Sequence, residues 1–162
     1  MSGRVEVIAF PGTSGSFSGA AAQEAFPNGQ CAGFPTFPEA AKAVIEGLAD
    51  YALLPVENSF AGAVLPTYSL LEKLPLHIVG ETMKAVRHNL LGVPGATLAG
   101  IRRIASHPQA IAQCDVFLQG MKGVLITPSE NTAISARDVA AQGDPSYAAI
   151  ASEEAARSFG LI

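Results

Sequence analysis

The sequence is short of charge and cysteine, and each shortage excludes a class of protein. Only 15% of its 162 residues are charged, the net charge is −4, and the ten lysines and arginines are scattered along the chain. Because a nucleic-acid surface needs clustered positive charge, we predict no nucleic-acid partner. Hydrophobic residues make up 49% of the chain, which is enough for a buried core and excludes a disordered protein.

Long apolar runs are absent as well. The apolar stretches are short and are interrupted by glycine, proline or charge, so the sequence predicts no membrane span and no signal peptide. From these absences we expect a cytoplasmic protein without a membrane partner.

The few cysteines and histidines have no spacing typical of a metal site. Cys31 and Cys114 lie far apart, and neither belongs to a C-x-x-C motif. His77, His88 and His107 share no i, i+4 spacing that would place two imidazoles on one helix face. We predict reduced, packed thiols and no bound metal.

Strand-like and helix-like segments alternate along the whole chain. Short β-branched and aromatic runs end at glycine, proline or polar residues, and segments with apolar residues at helical spacing follow them. This alternation predicts an α/β fold with sheets covered by helices on both faces. One series ends and another begins near Gly80 and Glu81, which predicts a first α/β lobe over 1–80 and a second over 81–162.

The predicted strands and helices follow one another with few residues between them. Ser18 is predicted to cap a helix that ends near Phe26. The next helix is expected to bury one face, formed by Phe37, Ala41, Val44, Ile45 and Leu48. The predicted strands cover 5–10, 31–34, 51–55, 77–80, 87–93, 104–106, 124–126 and 147–151. The remaining predicted helices cover 64–74, 110–118, 131–141 and 153–159.

One strand-to-helix junction carries a cluster of polar residues. The strand-like segment that ends at Pro55 runs into Glu57, Asn58 and Ser59, and Gly62 and a helix follow. In open α/β sheets, ligands bind beyond the carboxyl ends of strands, where loops and helix N-termini present N–H groups to anions. The cluster is therefore a candidate binding site. The alternative interpretation is a helix cap and turn without a ligand.

Two junctions of the same kind lie in the second half of the chain. Ser106, His107 and Gln109 stand where a predicted strand gives way to a helix, and segment 127–132 repeats this arrangement. The first of these junctions has an alternative interpretation as a capping turn with Pro108 in the first helical turn. Together with the Glu-Asn-Ser cluster, the two junctions suit a cleft closed by two lobes.

The loop 11–18 is rich in glycine and serine but contains no nucleotide-binding motif. It matches neither G-x-x-x-x-G-K-[ST] nor G-x-G-x-x-G, and it has no lysine to meet phosphates. Its backbone N–H groups instead favour a small anion. The chain also has no G-x-S-x-G nucleophile elbow, so a serine hydrolase is not predicted.

Taken in order, these segments resemble the prephenate dehydratase family. Segment 54–59, Leu-Pro-Val-Glu-Asn-Ser, resembles the Glu-Asn-Ser signature of that family, and segment 106–110 resembles its Ser-His-Pro-Gln-Ala motif. Segment 10–18 resembles the Gly-rich loop of the family, and segment 87–91 resembles its His-x-Leu strand. Segment 131–133 resembles its Thr-Ala segment, and segment 148–152 resembles its late strand. The motifs extend over nearly the whole chain.

The resemblance implies two α/β lobes around a cleft, similar in architecture to type II periplasmic binding proteins. It also implies conversion of prephenate to phenylpyruvate in phenylalanine biosynthesis, with arogenate as the alternative substrate. The reaction loses carbon dioxide and water as the ring becomes aromatic, so no cofactor is required. The expected catalytic residues are Glu57, His107 and Thr132. The expected substrate-binding residues are Asn58, Ser59, Ser106, Gln109 and Ala133.

The sequence departs from the family pattern after its late helix. The Thr-Arg-Phe motif, which carries the family's expected hydroxyl donor and carboxylate anchor, does not occur, and the region of the regulatory ACT domain is absent. We therefore expect little or no dehydratase activity from this chain alone, and a homodimer or higher homo-oligomer as its assembly. The alternative interpretations are a small-anion or amino-acid binding module of the solute-receptor type and a non-catalytic fragment.

Overall fold

The computed structural model describes residues 4–162, which form two compact α/β units. The first unit runs to Thr13 and continues from Phe17 to Ala85, and the second comprises Ser14–Ser16 and Val86–Ile162. The two α/β lobes expected from the sequence are confirmed. The main division falls between Ala85 and Val86, five residues beyond the predicted position, and a short segment near the N-terminus belongs to the second unit.

The first unit is built on a three-stranded parallel sheet in the order β2-β1-β3. Its elements are β1 (Val7–Pro11), α1 (Phe17–Ala25), β2 (Gln30–Phe34), α2 (Phe37–Ile45), β3 (Tyr51–Ala52), β4 (Glu57–Asn58), β5 (Gly62–Ala63) and α3 (Leu65–Lys73). β4 and β5 form a separate antiparallel hairpin.

The central strand β1 packs against helices on both faces of the sheet. Ile8 and Phe10 are buried in one cluster with Ala22 of α1. Ala9, between them in the sequence, is buried in another cluster with Ala40 of α2. Successive side chains of a strand point to opposite faces, so this division follows from the period of two.

Three expectations for the first unit are wrong in detail. α1 begins at Phe17, so Ser18 lies inside the helix and does not cap it. α2 buries its small residues, whereas Ile45 and Leu48 are 45% and 62% exposed. The expected strand 77–80 is not formed; within residues 4–162 no strand pairs with this segment, and its apolar side chains are exposed.

The second unit contains a four-stranded mixed sheet in the order β6-β9-β7-β8. Its strands are β6 (Asn89–Leu91), β7 (Arg103–Ser106), β8 (Leu125–Pro128) and β9 (Tyr147–Ala151). Its helices are α4 (Pro108–Gln113), α5 (Asp115–Gln119), α6 (Thr132–Gln142) and α7 (Glu153–Phe159), and a 3-10 turn covers Leu98–Gly100. β7, β8 and β9 are parallel, and β6 runs antiparallel to β9.

Strand β9 is the centre of this unit, since all five of its residues are buried. On one face Ile150 packs in a cluster with Ile104 and Ala110, and on the other Ala149 packs with Ala136 and other residues of α6 and α7. Burial of an isoleucine side chain contributes about 1.5–3 kcal/mol, so these contacts dominate the stability of the sheet.

Most elements of the second unit have the predicted type, with two differences. The expected helix 110–118 is divided at Cys114 into α4 and α5. The expected strand 124–126 is shifted towards Pro128, and its side chain Leu125 is 64% exposed because β8 is at the edge of the sheet. No helix among the described residues is both long and apolar enough to cross a bilayer.

Candidate functional site

In the second unit, the predicted polar junctions share one edge of the sheet. The parallel strands β7, β8 and β9 end at Ser106, Pro128 and Ala151, so their carboxyl ends point the same way. β6 is antiparallel and begins there, with Asn89 opposite Ala151. We call the residues at these strand ends, 106–109, 128–133 and 151–153, the carboxyl edge. Ligands of open α/β sheets bind at such an edge.

Ser106 fixes the position of two neighbouring strands. It is fully buried, and its hydroxyl donates a hydrogen bond of 2.6 Å to the carbonyl of Ile150 in β9. Its own carbonyl accepts from the backbone N–H of Ser129 at 2.8 Å, which joins the junctions after β7 and β8. Ser106 therefore holds the carboxyl edge together, and its hydroxyl hydrogen is already committed to a protein acceptor.

His107 caps helix α4 and thereby fixes its own tautomer. Its Nδ1 accepts the backbone N–H of Gln109 at 3.2 Å, and Pro108 occupies the first helical turn. A neutral imidazole nitrogen that accepts a hydrogen bond carries no hydrogen, so the hydrogen of His107 lies on Nε2. The predicted capping turn and a chemical role are thus compatible: Nδ1 holds the backbone while Nε2–H remains a donor.

Helix α6 begins at the same edge with a side-chain cap. Asn131 Oδ1 accepts the backbone N–H of Ile134 at 2.8 Å, and Thr132 is the first helical residue, half-buried. The side chain of Ala133 is buried, so only its backbone can contact a ligand. A hydroxyl and main-chain amides at the N-terminus of an eleven-residue helix favour an anionic group.

A segment from the start of the chain also reaches the carboxyl edge. We call Ser14–Ser16 the strap, because it belongs to the second unit although its neighbours on both sides belong to the first. Ser152, the cap of α7, donates to the carbonyl of Gly15 at 2.6 Å and accepts the N–H of Ala155 at 3.0 Å. A buried hydroxyl thus anchors this part of the Gly-rich loop.

In the first unit, the Glu-Asn-Ser cluster lies in a β-hairpin. Glu57 and Asn58 form β4, and Ser59 is exposed in the turn that follows. Asn58 Oδ1 accepts the N–H groups of Phe60 and Ala61 at 2.9 and 3.0 Å, so its oxygen stabilises the turn. The cluster is therefore part of a hairpin that precedes α3, and Gly62 and the helix follow it in the predicted order.

The hairpin is attached to the unit through Thr67. This side chain is fully buried in α3, and its hydroxyl donates to the carbonyl of Pro55 at 2.6 Å. Because Pro55 precedes β4, the bond fixes the base of the hairpin. The structure thus brings Glu57, Asn58 and Ser59 together in one unit, and Ser106, His107, Gln109, Thr132 and Ala133 together in the other.

Three further polar residues are not among the expected site residues, although the sequence motifs include them. Asn131 and Ser152 cap helices, and the Asn or Ser residue before an apolar helical segment is the signal that identifies them. His88 Nε2 lies 3.0 Å from Gln113 Oε1, a contact between residues 25 apart in sequence that no local pattern announces.

The described residues contain no group of three His, Cys, Asp or Glu side chains that could hold a metal ion. Burial raises the pKa of the Cys31 and Cys114 thiols, which disfavours thiolate at neutral pH. Apart from the Glu57 carboxylate, the candidate site offers hydrogen-bond donors, which suit a carboxylate or hydroxyl ligand.

Sequence comparisons find similarity to prephenate dehydratases and arogenate dehydratases. Residues 8–162 match the family model of prephenate dehydratase. The chain is 41% identical over 154 residues to arogenate dehydratase/prephenate dehydratase 2, chloroplastic, of Arabidopsis thaliana, covering 95% of this chain and 40% of that protein. It is 40% identical over 162 residues to arogenate dehydratase 1 of Petunia hybrida, covering 99% of this chain and 38% of the relative.

Solved structures agree on the fold. A protein described as GqqA, a novel type of quorum quenching acylase, superposes with a TM-score of 0.87 at 39% identity, over 96% of this chain and 57% of that one. Prephenate dehydratase of Arthrobacter aurescens, solved in complex with L-Phe, gives a TM-score of 0.78 at 27% identity, over 96% of this chain and 53% of that one.

These relatives also bear on length and compartment. The chain spans about two fifths of the length of the curated relatives described above. The expectation of a cytoplasmic protein is contradicted by the names of the matching Arabidopsis relatives, which describe those proteins as chloroplastic. The short apolar runs from which that expectation was drawn do not report on plastid targeting, since transit peptides are amphipathic and rich in serine and arginine.

Proposed function

Because the chain belongs to the prephenate dehydratase family, we propose that it supplies the substrate-binding body of an enzyme that dehydrates and decarboxylates prephenate or arogenate. The observation that carries this proposal is the carboxyl edge of the second unit. There, His107, Gln109 and Thr132 stand at the starts of two helices that follow adjacent parallel strands. This arrangement offers several hydrogen-bond donors to one small anionic ligand.

The chemistry requires little more than such donors. The bond from the ring carbon to its carboxylate breaks and releases carbon dioxide, its electron pair enters the ring, and the ring hydroxyl leaves with a proton as water. Aromatisation drives the reaction, so the enzyme has to orient the substrate and assist the leaving hydroxyl. No oxidant, reductant or metal takes part in this electron balance.

We assign the leaving-group contact to His107. Its Nδ1 is occupied by the backbone N–H of Gln109, so Nε2–H is the atom that can donate to the leaving hydroxyl. Full protonation would place a hydrogen on Nδ1 and break the cap of α4. His107 therefore acts as a hydrogen-bond donor whose orientation the cap maintains.

The remaining groups of the second unit bind the substrate carboxylates in this proposal. The hydroxyl of Thr132, the side-chain amide of Gln109 and the main-chain N–H of Ala133 lie at the starts of α4 and α6. Ser106 contributes by holding β7 against β9 through its buried hydrogen bond. Hydrogen bonds to ionised groups are about twice as strong as neutral ones, which favours a dianionic ligand.

In the first unit, the proposal assigns Glu57, Asn58 and Ser59 to the substrate. The Asn58 oxygen is used in the hairpin turn, so the donor available to a ligand is its NH₂ group. Glu57 is exposed and carries a charge that suits the ammonium group of arogenate better than the keto group of prephenate. The arogenate dehydratase names of several relatives support the same substrate.

The central experiment measures product from both substrates. Phenylpyruvate formed from prephenate and phenylalanine formed from arogenate are quantified for residues 1–162 and for the natural full-length protein. We expect turnover by the longer protein and little by the shorter one, whose sequence has no Thr-Arg-Phe motif. Robust turnover by residues 1–162 would contradict the expected dependence on that motif, and no turnover by either protein would overturn the proposed function.

A matched pair of variants tests the role of His107. His107→Asn retains a side chain that can cap α4, but its shorter amide no longer places a donor at the Nε2 position, whereas His107→Ala removes both the cap and the donor. We expect both variants to lose kcat by about tenfold or more, and only His107→Ala to lose helix stability as well. Wild-type kcat in His107→Asn would assign His107 to capping alone.

One alanine substitution in each unit tests the residues that we assign to substrate binding. We expect Gln109→Ala and Ser59→Ala to weaken prephenate binding by about fivefold to tenfold each, the loss of one hydrogen bond to a charged group. Ser69→Ala, an exposed serine in α3, serves as the control and should bind as the wild type does. Unchanged affinity in both test variants would sink the assignment of these side chains.

A second candidate activity comes from the acylase relative. That protein is 39% identical and shares the fold, so hydrolysis of an acyl amide is the competing chemistry. Ser106, which stands beside His107 in the sequence, is a poor nucleophile because it is fully buried and its hydroxyl donates to the Ile150 carbonyl. Release of an amine from acylated substrates, abolished by His107→Ala, would favour this activity over the dehydratase.

We also propose a homodimer or larger homo-oligomer. The support is β8, which lies at the edge of its sheet among the described residues and exposes Leu125, so it can pair with another chain. Light scattering after size-exclusion chromatography tests this, and a monomer at all concentrations would contradict it.

A further inference from the structure

The strap is held by a contact that favours glycine at position 15. The fully buried Ser152 donates to the Gly15 carbonyl at 2.6 Å across 137 residues of sequence. Gly15 has a φ of +82°, and a Cβ added to it would lie 3.0 Å from the Cα of Ala155. Any side chain at position 15 would therefore meet both an unfavourable backbone angle and the first turn of α7.

The place of this contact connects it with the proposed site. Ser152 directly follows β9, and β9 is hydrogen-bonded to β7, the strand that ends at Ser106. Adjacent strands are about 4.8 Å apart, so the strap is fastened one strand away from the His107 junction. The exposed Ser14 belongs to the same short segment.

Helix α7 itself is not suited to bind an anion. Its first turn carries Glu153 and Glu154, and the N–H of Ala155 is already bonded to the Ser152 hydroxyl. Negative charge in the first turn repels a carboxylate ligand. The first turn of α7 therefore anchors the strap through Ser152 and does not bind a ligand.

We propose that Ser152 and Gly15 are positioning residues of the dehydratase site: they hold the strap as a fixed wall beside His107, where Ser14 meets a small cyclic dicarboxylate. The inference rests on the proposed function and adds to it a segment that is remote in sequence. Neither positioning residue touches the substrate in this arrangement. Their effect reaches it through the strap.

The test uses the full-length protein, with prephenate as the substrate and amide hydrogen exchange as a second readout. Ser152→Ala removes the donor, and Gly15→Ala forces the strap away from Ala155. We expect each variant to raise KM about tenfold while kcat changes by less than about twofold. A mobile strap should weaken substrate binding, whereas the groups that take part in the reaction stay in place. We also expect faster exchange of the amides in segment 12–18.

Matched controls separate positioning from loss of stability. Ser135→Ala removes another buried serine, whose hydroxyl donates to the Asn131 carbonyl at 3.1 Å. Gly143→Ala adds a Cβ at a φ of +65° with nothing within 4 Å. Both controls should leave KM and the exchange of segment 12–18 at wild-type values. If they raise KM as much as the test variants do, the effect is general destabilisation and the proposal fails.

The two proposals fail in different ways. If the wild-type protein makes no phenylpyruvate or phenylalanine, the dehydratase assignment fails, whereas exchange of segment 12–18 still reports on the strap. If turnover is present and Ser152→Ala and Gly15→Ala leave both KM and exchange unchanged, the positioning role is overturned and the dehydratase assignment stands.

Discussion

The two units carry similar polar residues after their strands, but they place these residues in different kinds of structure. In the second unit, Ser106, His107 and Asn131 lie at strand-to-helix junctions and hydrogen-bond to backbone groups of the sheet or helices. In the first unit, Asn58 and Ser59 lie in an exposed hairpin whose turn uses the Asn58 oxygen. The second unit thus presents a rigid set of donors, whereas the first presents donors on a small hairpin.

The comparison shows two ways of supporting polar side chains: on strand ends and helix starts in the second unit, and on a hairpin in the first. At the carboxyl edge, hydrogen bonds between neighbouring strands and helix caps fix the polar groups. A substitution at one junction should therefore shift the groups at the neighbouring junction. The hairpin is fixed at its base by Thr67 and in its turn by Asn58, and these two supports act separately. We therefore expect changes in the second unit to be more costly and more closely linked to binding.

The largest expected effect is in the core of the second sheet. Ile104→Ala, at a fully buried position, should lower the free energy of unfolding by about 2–5 kcal/mol. Ile78→Ala, in the first unit and 76% exposed, should change it by less than about 0.5 kcal/mol. Denaturant unfolding of both variants measures this contrast. An equal loss of unfolding free energy in the two variants would mean that the side chain of Ile78 is packed, which would contradict the expected contrast between the two positions.

The next effect compares two buried hydroxyls, one in each unit. Thr67→Val and Ser106→Ala each remove a donor to a carbonyl, so each should cost about 1–3 kcal/mol of stability. Ser106→Ala should raise KM for prephenate more than Thr67→Val does, since Ser106 holds the strand that precedes His107, whereas Thr67 fixes only the base of the hairpin. Thermal unfolding and steady-state kinetics separate the two effects, and a raised KM in Thr67→Val alone would reverse the comparison.

A smaller effect is expected at the cap of α6. Asn131→Ala should cost about 1 kcal/mol, whereas Asn131→Asp retains an acceptor for the Ile134 N–H and should be close to neutral. Unfolding midpoints of the two variants provide the measurement. If Asn131→Asp loses as much as Asn131→Ala, the oxygen cap is not what stabilises this helix start.

The smallest effect is a pH dependence in the second unit. The backbone N–H of Ser146, and then its hydroxyl, hold the pKa of the Asp144 carboxyl below its ordinary value. A lowered folded pKa means that the stabilisation is present above the unfolded pKa of about 3.9 and is lost as pH falls through the folded value. The wild-type protein should therefore exceed Asp144→Asn in unfolding midpoint at pH 7, and the gap should close below about pH 4. A gap that widens in acid would contradict the sign.

Much of the second unit could be predicted from the sequence because local signals agree with the tertiary structure. The apolar run Tyr147–Ala151 is β9 from end to end, and Glu153–Phe159 is α7 from end to end. Ser152 caps this helix and Gly160 adopts the left-handed conformation that ends it. Local capping and local hydrophobicity specify the same boundaries.

Other features depend on contacts that no local pattern contains. Ile78 and Val79 have the β-branched side chains of a strand but no partner strand within the described residues, so propensity alone was misleading. Asn58 was expected at a strand-to-helix junction, yet a hairpin intervenes before α3. The strap depends on a residue 137 positions away from Gly15, which the Gly-rich loop could not reveal.

The bond between Ser152 and Gly15 has a consequence for the order in which the molecule takes shape. A growing chain makes the strap early, but its anchor emerges 137 residues later, after every strand of the described residues has been synthesised. Closing so long a loop is entropically unfavourable until the two ends are already ordered, and contacts of high sequence separation form slowly. The strap should therefore be among the last parts to reach its place, so a nascent protein would acquire its sheets before it acquires a finished binding surface.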